Sequence, residues 1–365
     1  PDFLMPLRGV IDSNDIPLNV SRSALTNDRT VRRITDYIAK KIGDRLKSLY
    51  SENRTEYIRC WQDVGTFVKF GSLKDDKFKK QVEEIIVFQT TYKGSKPNPE
   101  EPKVEVQAAE GDVWQEATPS SEDSSAGDGY TTLKEYLERN KERHENRVYY
   151  CTDPATQSTY VELYKNQGLE VLYMDSFIDT NYFIPFLERE YSDVQFSRVD
   201  AELEDTLLEE DKTSEIVDPK TNKTRSELVK ELFEKALNNS KVTIRTESLK
   251  SENPESAPPA MVILPEQMRR LQEMTALLQQ QNVQFPEEHT LLVNTSHPMI
   301  QKLVEIGQGG IIQGSGQSSS GELTAAMCQH VYDLALFSQK GFTAESMTDF
   351  VARSNQLLTR VAERL

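Results

Sequence analysis

Apolar residues recur every three or four positions over residues 29–50: Val31, Ile34, Ile38, Ile42, Leu46 and Tyr50 make one stripe of a long helix. Asn27 or Asp28 can cap its start, and Lys40, Lys41, Arg45 and Lys47 favour its C-terminal half. Residues 3–12 alternate enough to predict a strand. Two shorter helices follow: 54–70 with Tyr57, Trp61, Val64 and Val68, and 75–88 with Phe78, Val82 and Ile85, parted by Gly71-Ser72. Over 130–199 the pattern predicts helix, strand, helix, strand, helix, with Gly168 stopping the 160–167 helix. Its order implies a parallel pair with a right-handed crossover. Beyond 200–218, an acidic join, come a helix at 225–238, strands at 241–249 and 261–264, and a helix at 265–281 with Pro265 in its first turn. A strand at 289–294, a short helix at 298–306 and two long helices, 322–338 and 344–363, complete the chain.

Between residues 93 and 129 periodicity fades. Pro, Glu, Ser and Gly dominate there, Lys103–Val106 alternates briefly, and Trp114 is the one large anchor. This reads as a flexible acidic insert. The predicted segments are therefore 1–50, 51–92, the 93–129 insert, 130–199 and 200–365.

Composition then narrows the function. The 365 residues hold 59 acidic and 43 basic side chains, a formal charge of -16, which repels nucleic acid and anionic lipid. No apolar run approaches the roughly 18 residues a membrane span needs. Cys60, Cys151 and Cys328 give neither a disulfide framework nor zinc spacing, which suits free thiols in a reducing, cytoplasmic setting. No metal is expected. Pro1-Asp2-Phe3 runs at once into apolar residues, as in a piece of a longer protein.

His144, His289, His297 and His330 are scattered, and no metal-ligand pair or nucleophile elbow occurs. The Ile306–Gly321 loop lacks the Lys-Ser/Thr ending of a phosphate loop, so it reads as a connector. Arg22, on the Pro17–Ser21 bend before the long helix, is placed to meet an anion, though an isolated arginine there is more often solvated. The terminal helices carry stripes of Leu323, Met327, His330, Val331, Leu334 and Phe337, and of Met347, Phe350, Val351, Ser354, Leu357, Leu358 and Val361. Such helices either cap their own domain or pair with a second copy into a four-helix bundle, and the pattern leaves both open. Met268, Leu271, Met274, Leu277 and Leu278 line one face of the 265–281 helix. A Met-rich face suits adaptable binding, with core packing the commoner explanation.

Arg8–Ser13 followed by Asp15-Ile16-Pro17-Leu18-Asn19-Val20-Ser21-Arg22 closely resembles the signature of the heat-shock protein 90 chaperones, the bacterial branch in particular. The resemblance implies a middle-plus-C-terminal part of such a chaperone: an α/β and α+β multidomain chain with αβα middle-domain subdomains joined by a helical unit. A mixed α/β C-terminal domain ending in a dimerising helix pair follows. It implies ATP and magnesium in the full-length protein, none bound by this part alone, and an arginine, here Arg22, that contacts the ATP γ-phosphate. The family commonly has Glu directly after this arginine and Gln four residues after it. Ser23 and Thr26 stand there, and Thr26 is carried as the second candidate catalytic residue. The resemblance implies an ATPase in the full-length protein and no turnover by this part alone, which lacks the nucleotide-binding domain.

The implied partners are partly folded client proteins, a second copy of the chain and co-chaperones. Client contacts fall to Met268, Leu271, Met274 and Leu278, and to Tyr182 and Phe183, which follow an Ile178-Asp179 pair where bacterial relatives often carry a Trp. The dimer interface falls to Leu323, Met327, Val331, Leu334, Phe350, Leu357, Leu358 and Val361. The competing reading is a non-enzymatic dimeric scaffold or adaptor.

Overall fold

The computed structural model describes residues 1–4, 10–12, 29–93, 129–201, 203, 207–209, 216–218, 223–251, 253–263, 288–312, 319–340 and 344–363. The predicted Lys103–Val106 strand, Trp114 and the 265–281 helix lie outside them. The chain is mixed α/β and divides into two compact units, 1–148 with 172–195, and 149–171 with 196–365.

In the first unit, helices α1 (Arg29–Glu52), α2 (Arg54–Lys74) and α3 (Asp76–Val82) pack together. Asn53 caps α2 by accepting from the Glu56 N–H, and Asp75 caps α3 through Lys77 and Phe78. The break between α2 and α3 is therefore Asp75. The Gly71-Ser72 pair expected to part them lies inside α2, where Gly71 lets the Phe3 and Phe78 rings approach the helix backbone. Residues 2–4 form a single 3-10 turn where the predicted 3–12 strand would begin, with Phe3 buried and its ring 4.5 Å from that of Phe78, and positions 5–9 of that strand lie outside the described residues. After α3 the chain turns extended. The predicted 75–88 helix ends early because Ile86, Val87 and Phe88 enter a buried strand, β1 (Val87–Thr90), where β-branched and aromatic residues pack well. β1 runs antiparallel to β2 (Tyr130–Thr132) on one side and to β4 (Val171–Tyr173) on the other.

A capping box opens α4 (Leu133–Arg139). Thr132 accepts from the Glu135 N–H, and the Glu135 carboxylate accepts from the Thr132 N–H. Arg54 also reaches Glu135, at 3.1 Å, and Tyr50 donates to the same carboxylate. Burial pushes Glu135 up, but the Thr132 N–H and the Arg54 guanidinium outweigh it, and its pKa falls below the ordinary value. Burial pushes the Tyr50 hydroxyl up to about 12.

The second unit holds Tyr149–Cys151 of strand β3 (Arg147–Cys151), α6 (Ser158–Asn166) and everything from 196 onward. Gly168 has φ +68°, the left-handed residue expected after α6. Three strands form its mixed sheet: β10 (His289–Asn294) is central, parallel to β8 (Val242–Glu247) and antiparallel to β9 (Ala260–Ile263). Alternate residues Val242, Ile244, Val262, Leu291 and Val293 face a core completed by helices α8 (Arg225–Leu237), α9 (Pro298–Ile312) and α10 (Ser319–Lys340). The helix predicted to end at 306 thus runs to Ile312. Tyr160 of α6 donates to the Val262 carbonyl at 2.6 Å, and Thr159 meets Ser338 at 2.8 Å. The last helix, α11 (Ala344–Ala362), packs on α10. No helix among the described residues is long and apolar enough to cross a membrane.

Candidate protein-binding surfaces

Two exposed apolar surfaces stand out, one in each unit. The first is built on α2 and the segment Ser176–Phe183. The inner face of α2 is buried through Val68, Lys69 and Ser72, which leaves Thr66, Phe67, Phe70 and Leu73 towards the outside. Lys69 is the key to the segment facing it. Its ammonium donates to both carboxylate oxygens of buried Asp179, at 2.7 and 2.8 Å, and lies 4.7 Å from the centroid of the Phe88 ring. Ser176 donates to Asp179 at 2.6 Å and accepts from the Asp179 N–H.

Asp179–Phe183 forms a π-helical turn that leads into an α-helical stretch, α7 (Ile184–Glu190). The pattern predicts one continuous helix here. Pro185 explains the widened turn: it has no N–H for the Asn181 carbonyl, and its ring would crowd that carbonyl in an unbroken α-helix. The Ile184 N–H reaches back five residues to the Asp179 carbonyl instead.

The turn sorts the aromatics. Phe177 is 65% exposed and Tyr182 54%, their rings edge to face at 6.1 Å. Phe183 is 1% exposed and packs between Phe88 and Phe186. Of the two aromatics assigned to client contact, only Tyr182 reaches the surface. Phe183 belongs to the core, because the π turn rotates it inward beside Lys69. Phe177 and Phe67, neither among the expected contacts, take its place at the surface. Phe67 and Phe70 lie off the Trp61–Val68 stripe at i, i+3, a signal that was present in the sequence. Together these residues line a groove of about 940 Å³.

The second surface lies on the terminal helices. Leu323 and Val331 are buried, Val331 in the unit's own core, and Met327 packs partly buried against that core. They are thus turned away from the surface they were assigned to. Contacts between α10 and α11 include an ion pair and a ring stack. Arg353 pairs with Asp333 at 2.9 Å, and the Phe350 ring stacks on His330 at 5.4 Å. This arrangement leaves Leu334, Phe337, Met347, Val351 and Leu358 exposed, Leu358 at 66%. Leu357 and Val361 are half-buried.

Arg22, Thr26, Met268, Leu271, Met274 and Leu278 lie outside the described residues. Among the described residues, no cluster of three or more His, Cys, Asp or Glu comes together as a metal site. Burial pushes the Cys328 thiol up to about 12, which makes it a poor nucleophile.

The family model described as Hsp90 protein matches residues 1–99 and 120–364. The chain belongs to the Hsp90 family. The resemblance carried by Arg8–Arg22 is borne out, and bacterial Hsp90 proteins are among its relatives. The chaperone protein HtpG of Porphyromonas gingivalis (strain ATCC 33277) is 30% identical over 312 residues, covering 83% of this chain and 40% of that protein. That of Bacteroides fragilis (strain YCH46) is 29% identical over 315 residues, with the same coverage. That of Legionella pneumophila (strain Lens) is 26% identical over 366 residues, 98% of this chain and 49% of the relative. The chain spans about half or less of the length of these Hsp90 relatives.

Proposed function

We propose that this chain is the client-binding and self-associating part of an ATP-dependent molecular chaperone. The observation that carries the reading is the exposed aromatic pair Phe177 and Tyr182 above an apolar groove, in a chain of the Hsp90 family. Apolar surface held open by a rigid turn suits transient capture of exposed segments of partly folded proteins. Met268, Leu271, Met274 and Leu278 supply a second, adaptable client face. The exposed stripe from Leu334 to Leu358 supports pairing with a second copy through the terminal helices.

ATP and magnesium belong to a nucleotide-binding domain outside this sequence. Arg22, with Thr26 four residues on in sequence, completes that site: an always-charged guanidinium holds the γ-phosphate and offsets its charge. Co-chaperones and a cytoplasmic setting complete the reading.

Suppression of aggregation of a thermally unfolded reporter protein tests it. The parent chain is expected to reduce light scattering, and Phe177→Asp/Tyr182→Asp to lose most of that effect while keeping the parent's circular dichroism. Equal suppression by parent and variant overturns the client assignment. Arg22→Ala, in the chain joined to its nucleotide-binding domain, is expected to lower ATP turnover at least ten-fold, and unchanged turnover removes Arg22 from the site.

A further inference from the structure

The groove beside Phe177 and Tyr182 has a charge pattern opposite to that of the chain. Its floor and walls are apolar, with Phe67, Phe70, Leu73 and Ile178 between the exposed aromatics and buried Phe3. Among the described residues, the cations lining it are Lys74 and Arg189 and no carboxylate lines it, in a protein of formal charge -16. Both cations are exposed. Lys74 lies 5.7 Å from the Phe70 ring centroid, so its charge sits directly over the apolar floor. Neither forms an ion pair among the described residues. The volume, about 940 Å³, is at the upper end for ligand sites and holds several side chains at once.

We infer that this groove binds an extended peptide segment that carries aromatic or leucine side chains flanked by carboxylates. The inference rests on the reading of Tyr182 as part of a protein-binding surface, and it names the chemistry that surface selects. The apolar side chains enter the groove and leave water. The flanking carboxylates meet Lys74 and Arg189, two cations in a field that is otherwise negative. A basic flank would meet the same cations and be repelled, so discrimination comes from repulsion as much as from attraction. Selectivity is therefore for acidic-apolar segments, against the bias the net charge alone would set.

Fluorescence anisotropy with three labelled twelve-residue peptides tests this. Each has the same Leu-Trp-Phe centre, flanked by Asp/Glu, by Ser/Asn or by Lys. The acidic peptide is expected to bind at least ten-fold tighter than the lysine peptide at low salt, with the gap closing as salt shortens the Debye length. Lys74→Glu/Arg189→Glu is expected to reverse the order, and Lys74→Gln/Arg189→Gln to abolish it. Phe177→Asp/Tyr182→Asp is expected to weaken all three peptides.

Equal affinity for the three peptides overturns the inference. So does an acidic preference that survives the charge reversal, or binding that ignores Phe177→Asp/Tyr182→Asp. A groove filled by a second copy would show as binding that falls as protein concentration rises, and one filled by this chain's own residues as no binding by any peptide; either overturns it. If no peptide binds but the unfolded reporter is still protected through Phe177 and Tyr182, the client reading stands and the charge selectivity falls. Failure of both removes the client reading itself.

Discussion

Lys69 and Asp179, 110 residues apart in sequence, are joined by two hydrogen bonds of 2.7 and 2.8 Å with both side chains under a tenth exposed. This pair anchors the π turn to α2, so it controls how Phe177 and Tyr182 are presented. A buried ion pair adds little net stability over a well-packed apolar pair, but removing one partner strands a charge. Asp179→Ala is expected to destabilise the first unit by about 3–5 kcal/mol in urea unfolding. Lys69→Met/Asp179→Leu is expected to recover much of that stability. Because the double variant also loses the Ser176 contact to Asp179, its π turn should loosen and client protection should fall even where stability returns. A double variant as unstable as Asp179→Ala would contradict the stranded-charge account.

Gly71 gives the second prediction. In a helix, Gly→Ala normally adds about 1 kcal/mol of stability. Here a Cβ would lie 2.8 Å from ring carbons of both Phe3 and Phe78, and both rings are buried. Neither can withdraw without opening the core, and overpacking of this kind costs about 1–3 kcal/mol. Gly71→Ala is therefore expected to lower the melting temperature. Phe3→Ala in the same background should relieve part of the added cost, which a thermal melt of the double variant checks.

The positions of these two glycine and aspartate contacts explain what the pattern could reveal. Helices α1, α8 and α10 follow from apolar residues at three- and four-residue steps, because each turns one stripe towards its own unit, while α11 shows the same spacing on a stripe left largely exposed. The strand at β1 was masked by the same arithmetic: Phe78, Val82 and Ile85 keep helical spacing up to the residue before the chain extends. Periodicity identified the apolar residues of α10 but not their direction. Val331 and Leu334 are three apart in one stripe, yet the first is buried and the second 40% exposed, since the stripe is wider than the surface it covers. The groove was less legible still. Its two walls come from residues more than a hundred apart, and the turn that orients Tyr182 depends on the Lys69 partner. Arg22 is singled out by its flanking signature alone, since spacing leaves it an ordinary arginine, and it lies outside the described residues.

His297 gives a pH dependence. Its Nδ1 accepts the Met299 N–H at 3.1 Å at the start of α9, so it acts as an N-cap in its neutral form. Burial holds its pKa below the ordinary 6.5, against the opposing pull of the Glu255 backbone and carboxylate. A pKa depressed on folding means the unfolded chain binds the proton more tightly. The contribution of His297 is fully present above about pH 6.5 and is lost as pH falls through the lower folded value. His297→Asn keeps a capping acceptor that does not titrate. The urea midpoint of the parent is expected to fall more steeply than that of His297→Asn as pH drops from about 7 to 5. Parallel curves would show that the imidazole is not the titrating cap.

Self-association gives the last prediction. Met347, Val351 and Leu358 recur at i, i+4 and i+11 along α11, with Leu334 and Phe337 on α10, and all five are exposed. Exposed apolar side chains at helical spacing gain by burial against a like surface, at roughly 25 cal/mol per Å² removed from water. In a two-fold pair each substitution counts twice, because the same patch lies on both copies. Val351→Glu/Leu358→Glu therefore places four carboxylates into a two-copy interface while touching no residue of the unit's own core. The parent chain is expected to sediment as a dimer at micromolar concentration and the variant as a monomer with an unchanged far-ultraviolet spectrum. Leu334→Glu alone should raise the dissociation constant at least ten-fold. A parent that sediments as a monomer at tens of micromolar would overturn this use of the helix pair, and a variant that stays dimeric would move the interface elsewhere.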